Sequence, residues 1–133
     1  MQMEKWERWT VNQEIPAKLY LQALIDDKDG LTLVFTDADE NNYTFLFDGL
    51  VLSYRNTDEG TLFKTLEQLY KNYGPDFFRN WTLFNVTDSN YVKWLAEEST
   101  NIYEEIYDIH HYVFLTSNDV IEVLSTDPPS LIS

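Results

Sequence analysis

The stretch Asn41 to Gly60, NNYTFLFDGLVLSYRNTDEG, constrains this chain more than any other. Tyr43, Phe45 and Phe47 fall on one face and Thr44 and Leu46 on the other, the period-2 pattern of a half-buried strand. Asp48-Gly49 tolerates the positive φ of a tight two-residue turn, so the stretch predicts a hairpin with Leu50 to Arg55 as its return arm. Asn56, with Glu59 three residues on, resembles a capping arrangement. Asp58 and Glu59 add negative charge where a helix dipole is positive. A strand, a turn, a second strand and a helix start therefore follow one another within this stretch.

The flanking sequence extends the pattern. Residues 4–12 carry Trp6 and Trp9 three apart, which suits one face of a short helix ended by Pro16. Lys18 to Asp26 alternates Leu19, Leu21, Ala23 and Ile25 against Tyr20, Gln22 and Leu24, and reads as a strand. After the Asp26 to Gly30 turn, Leu31 to Thr36 is a second strand, and Asp37 to Asn42 an acidic turn. Four sequential strands joined by short turns predict an antiparallel meander. In Thr61 to Tyr73, Leu62, Phe63, Leu66, Leu69, Tyr70 and Tyr73 form one apolar helical stripe, stopped by Gly74-Pro75. Trp81 to Val86 is a further strand, and Thr87 or Asp88 caps a helix reaching about Ser99. Residues 100–108 suit either a helix or an exposed loop. Tyr112 to Thr116 and Val120 to Leu124 form a second hairpin around Ser117-Asn118-Asp119, and Pro128-Pro129 ends the fold with a loosely held tail. The expected architecture is a single α+β domain over 1–133, an antiparallel meander sheet of about five to seven strands covered by two main helices. Segments 1–15 and 127–133 are expected to be peripheral.

Charge narrows the function classes. The net charge is −14, and after Lys93 there are eight carboxylates and no Lys or Arg. Such a field repels nucleic acid and anionic lipid and attracts basic surfaces. Four Trp, nine Tyr and eight Phe are too many for a disordered acidic tail, so the charge belongs to a folded object. Without cysteine there is no thiolate nucleophile, thiolate metal site or disulfide. The start, MQMEKWERWT, lacks a secretory apolar run and no stretch approaches a membrane span, so a cytoplasmic protein is expected.

No catalytic pattern emerges. His110 and His111 are adjacent in a likely strand and point to opposite faces, which disfavours a shared metal or a base with its orienter. The glycines are taken up by turns and helix ends, leaving no phosphate cradle. Asp37, Asp39, Asn41, Tyr43 and Asp48 have the spacing of a calcium loop. Asn42 stands where that loop needs glycine, and the following residues alternate like a strand, so neither a metal nor another cofactor is expected. The reading is a non-catalytic binding protein presenting an acidic, aromatic-rich surface to a basic protein partner. Its contact residues are expected to be Glu97, Glu98, Tyr103, Glu104, Glu105, Tyr107 and Asp108, with Asp26, Asp27, Asp29, Asp37, Asp39 and Glu40 in the turns. A small-molecule or calcium-responsive regulatory domain is the alternative, and an enzyme built on a carboxylate pair stays open. The aromatic surplus equally suits a homo-oligomer.

The run Leu50 to Gly60, the segment Trp81 to Trp94 and the closing Val120 to Ser125 with Pro128 resemble small, acidic, cytosolic proteins of Bacillus-type bacteria. Some of these are described as immunity proteins that neutralise a toxin domain. The resemblance implies a non-catalytic α+β domain.

Overall fold

The computed structural model describes residues 4–11 and 13–132, with Tyr103 and Glu104 described by their backbone alone. Its strands are β1 (Lys5–Arg8), β2 (Tyr20–Asp27), β3 (Gly30–Thr36), β4 (Asn42–Phe47), β5 (Val51–Asp58), β6 (Leu83–Thr87), β7 (His110–Leu115), β8 (Asp119–Ser125) and β9 (Ser130–Ile132). Helices α1 (Phe63–Tyr73) and α2 (Asn90–Glu98) are the main ones, and α3 (Ile102–Ile106) is a single short turn. The α+β class and the antiparallel pairing agree with the sequence. The strands, however, form two sheets in place of one, in the orders β1-β6-β7-β8-β5 and β2-β3-β4-β9.

Alternation explains the layers. Leu31, Leu33 and Phe35 of β3 and Phe45 and Phe47 of β4 point into one buried layer, where they meet Tyr112 and Phe114 of β7 and Ile121 and Val123 of β8. The intervening residues of the five-stranded sheet point the other way. Phe84, Val86, Val113, Leu115 and Val120 form a second core closed by Leu69 of α1. The five-stranded sheet is thus the middle layer, buried on both faces.

Several expectations are corrected by this arrangement. Asp48-Gly49 does not close a hairpin: β4 pairs with β3 and β9, and β5 pairs with β8, so the segment carries the chain from one sheet to the other. Gly49 is in close approach to the Asp127 side chain, whose carboxylate would have to shift to admit a Cβ 2.5 Å away. Residues 5–8 are a strand rather than a helix. Trp6 opposite Val86 enters the helix-side core, while Trp9 packs between the sheets against Tyr112 and Phe45. A bulge between Leu21 and Ala23 reverses the inward face of β2, so Leu24 packs inward and Ile25 is exposed.

Asn56 lies inside β5, and Asp58 caps the turn preceding α1 by accepting the Gly60 N–H. Ser89, not Thr87 or Asp88, caps α2, and residues 102–106 resolve as helix. Among the described residues the end segments join the sheets as edge strands, β1 in one and β9 in the other, with Leu131 opposite Phe45. An unpaired edge of β4 would leave backbone donors and acceptors unsatisfied, which is what the segment after Pro129 supplies. No helix among the described residues is long and apolar enough to cross a membrane.

Candidate functional site

The acidic residues expected to bind a partner are distributed over both ends of the molecule. Asp26, Asp27 and Asp29 lie at the β2–β3 turn, and Asp37, Asp39 and Glu40 at the β3–β4 turn. β3 has seven residues, so these turns stand about 20 Å apart at opposite ends of the four-stranded sheet. The first turn shares a shallow cavity with Gly49, Val51 and Tyr54, and Tyr54 donates its hydroxyl to Asp26 at 3.1 Å. That places it at the end where β5 starts and where β7, paired through Ser125 of β8, also starts.

Glu97, Glu98, Glu105, Tyr107 and Asp108 lie on the α2–α3 arm, which leads into that same end through His110. All five are exposed. The side chains of Tyr103 and Glu104 lie outside the described residues. The structure therefore separates the Asp37 turn from the other expected contact residues along the strand direction.

Asp37 is a local organiser. Its Oδ1 accepts the N–H groups of Asp39 and Asn41, both at 2.9 Å, and its Oδ2 accepts from the Asn41 amide and the Tyr43 hydroxyl. The Asn41 backbone bond foremost, outweighing desolvation together with the other hydrogen bonds, holds its carboxyl below the usual range. Asp48 lies at the far end of β4, so the calcium spacing read from the sequence does not converge. Among the described residues no group of three His, Asp or Glu side chains is placed to hold a metal ion.

The arm itself carries apolar surface. Ile102 is 56% exposed and Ile106 66% exposed, four residues apart on one side of α3. Trp94 is also exposed and lies on α2 one turn before Glu97 and Glu98. Among the described residues of α3 none is buried. Left-handed backbone at Thr100 and Asn101 (φ 52° and 62°) reverses the chain between α2 and α3, and Asn101 N–H returns to the Ala96 carbonyl at 2.8 Å.

A buried polar network holds the arm to the sheet. Ser89 Oγ lies 2.7 Å from His111 Nδ1, and His111 Nε2 lies 2.9 Å from Glu122 Oε1. Arg55 donates to both Glu122 oxygens at 2.6 and 3.0 Å, and its guanidinium lies 4.1 Å from the centre of the Tyr91 ring. Tyr91 in turn meets Ser53 at 2.5 Å. A proton on Nε2 gives every group a partner: Nε2–H donates to Glu122, the Ser89 hydroxyl donates to Nδ1, and Ser89 Oγ accepts the Val92 N–H at 3.1 Å.

Serine, histidine and carboxylate in this order have the connectivity of a hydrolase triad. Ser89 and His111 are nevertheless almost wholly buried, and Ser89 Oγ is occupied as the cap of α2. The arrangement fixes α2 in place and offers no open approach to the hydroxyl. Sequence reasoning missed it. The available signal was Glu122, an acid inside the apolar run Val120 to Leu124, since an acid so placed needs a partner across the strand pair. Arg55 is directly opposite it.

Lys18 is a half-buried charge held by backbone carbonyls. Its Nζ donates to the carbonyls of Phe78, Leu115 and Trp81 at 2.8, 3.1 and 3.3 Å. Burial, only partly offset by the nearby Glu59 charge, lowers its pKa from 10.5 to about 8. The unfolded chain thus binds a proton between pH 8 and 10.5 that the fold does not, so stability should rise with pH across that window. Lys18→Met should remove this slope. Denaturant titrations of both proteins at several alkaline pH values check it through their difference, which cancels the tyrosines they share.

No protein-family model matches the chain, and neither a curated protein nor a solved structure matches it.

Proposed function

We propose that the chain is a non-catalytic binding protein that docks a basic protein partner through the α2–α3 arm. The observation that carries this reading is Ile102 and Ile106 standing exposed on a helix that the exposed acids Glu97, Glu98, Glu105 and Asp108 flank along the chain. Exposed apolar side chains framed by charge are what an interface needs: desolvated anchors supply affinity, while the surrounding carboxylates speed encounter and reject acidic partners. The Asp26 turn, at the same end of the strands, extends the negative field, and the Asp37 turn contributes to long-range steering. A toxin domain with a basic cleft is a partner of this chemistry, in keeping with the resemblance to immunity proteins. Inhibition would be steric.

The buried network supports the same reading, because it spends serine, histidine and glutamate on anchoring the arm. The test uses the protein as bait in lysate of its source cell. Wild type should retain a basic protein at low salt and release it at high salt. Ile102→Glu with Ile106→Glu should weaken that retention on the order of tenfold or more, whereas reversing charge at Asp37, Asp39 and Glu40 should have a smaller effect. Equal retention by the arm variant and wild type would overturn the assignment.

A further inference from the structure

α1 carries more apolar surface than the sheet takes up. Leu69 is buried against the middle sheet, with Leu62 and Leu66 packed beside it. Phe63 is 75% exposed and Tyr70 50% exposed, two turns apart on the outward side of the same helix. Together with Leu66, Phe78 and Leu115 they line an open groove of about 630 Å³. Its sequence signature was read as core, and the sheet covers only part of it.

The charge around this groove differs from the rest of the molecule. Lys18, Arg79, Glu59 and Glu67 all line it, a balance of zero in a chain of net charge −14. Lys18 is pinned by its three carbonyl acceptors, so below about pH 8 its charge holds a fixed position in the groove. Glu67 also pairs with Lys71 at 3.1 Å along α1. Two copies of so acidic a protein repel each other across most approaches. They do so least where the local charge cancels.

A two-fold interface places one patch against itself, so it requires an apolar centre and charges of both signs around it. We propose that the α1 groove is a homodimer interface in which Phe63 and Tyr70 of one copy enter the groove of the other. The inference does not depend on the α2–α3 arm, and its salt dependence has the opposite sign. Screening weakens the attraction of the acidic arm for a basic partner but relieves the repulsion between two acidic copies. Self-association should therefore strengthen with salt.

Sedimentation velocity over a wide concentration range, at low and high salt, tests this. Wild type should move from a mass of 15.8 kDa toward twice that value, at lower concentration when salt is high. Phe63→Glu with Tyr70→Glu should raise the dissociation constant by at least about tenfold. Both residues are exposed in the single chain, so at concentrations where both proteins are monomeric the variant should keep the circular dichroism spectrum and melting temperature of wild type. Arg79→Glu, which unbalances the groove without touching its apolar wall, should weaken association in the same assay. A wild-type protein that stays monomeric at every concentration and salt would overturn the proposal. So would association that weakens with salt, or variants that associate as wild type does.

Discussion

Phe114→Ala is expected to lower the unfolding free energy by about 3–5 kcal/mol, the range for truncating a fully buried phenylalanine. Phe114 has no exposed surface and stands where the two sheets meet. Its ring stacks on Phe35 at 5.3 Å between centroids and meets Phe45 at 5.2 Å and Phe47 at 6.1 Å. Truncation removes the transfer free energy of the ring, leaves a cavity that three rings from the other sheet cannot all collapse into, and forfeits their edge and face contacts. Total stabilities of such domains are about 5–15 kcal/mol, so this one change can remove a third or more. Phe63→Ala, at an equally apolar place in the sequence, should stay within about 0.5 kcal/mol in dilute solution where the chain is monomeric, because that ring is exposed there. Urea denaturation of both variants at unchanged slope measures the contrast. A loss below about 1 kcal/mol for Phe114→Ala would mean that these rings are not the contact holding the sheets together.

That contrast shows what periodicity conveys. Alternation in Tyr43 to Phe47 and the apolar, β-branched run Val120 to Leu124 correctly marked strands, because the first buries one face and the second both against a neighbouring layer. The stripe in Thr61 to Tyr73 correctly marked a helix, but its width exceeded what the sheet covers, and no local pattern tells where a partner surface ends. Sheet membership was illegible for a similar reason. Asp48-Gly49 has the composition of a hairpin turn, yet β5 finds its partner in β8, far along the chain, and the choice between the two is made by non-local pairing. The bulge in β2 inverted a face that strict alternation had assigned.

On the α2–α3 arm, the acids were legible in the sequence and the exposure of its isoleucines was not. Glu97, Glu98, Glu105 and Asp108 stood out because no base follows Lys93. Ile102 and Ile106 did not, since isoleucines four apart ordinarily indicate a buried helix face. Only the fold reveals that both are largely exposed. The anchoring network was hidden for another reason. Arg55, His111 and Glu122 come from three strands and Ser89 and Tyr91 from α2 and its cap, and their chemistry exists only once β5, β8 and β7 are in register and α2 packs against them.

Glu122→Ala should cost about 3 kcal/mol near neutral pH, the lower end of the range for breaking a buried ion pair, because Arg55 is 52% exposed and can turn toward water. His111 cannot; its Nε2 would lose its acceptor in a site that water scarcely reaches. The pH dependence follows from the carboxyl itself. Burial alone would raise its pKa, but the hydrogen bonds from His111 and Arg55 together outweigh burial and hold it below 4.5. As pH falls, the unfolded chain then takes up this proton before the folded one does. The stabilisation by Glu122 is therefore complete above about pH 4.5 and is lost as pH drops through the lower folded value. The difference between wild type and Glu122→Ala should accordingly be flat near neutral pH and shrink only in acid. Because the network also caps α2, the variant should loosen the arm, raising amide exchange in Asn90 to Glu98 more than in β3. A difference below about 1 kcal/mol at neutral pH would assign the pair the worth of an exposed salt bridge. Arm exchange rates equal to wild type would then detach the network from the binding surface and leave α2 held by apolar packing alone.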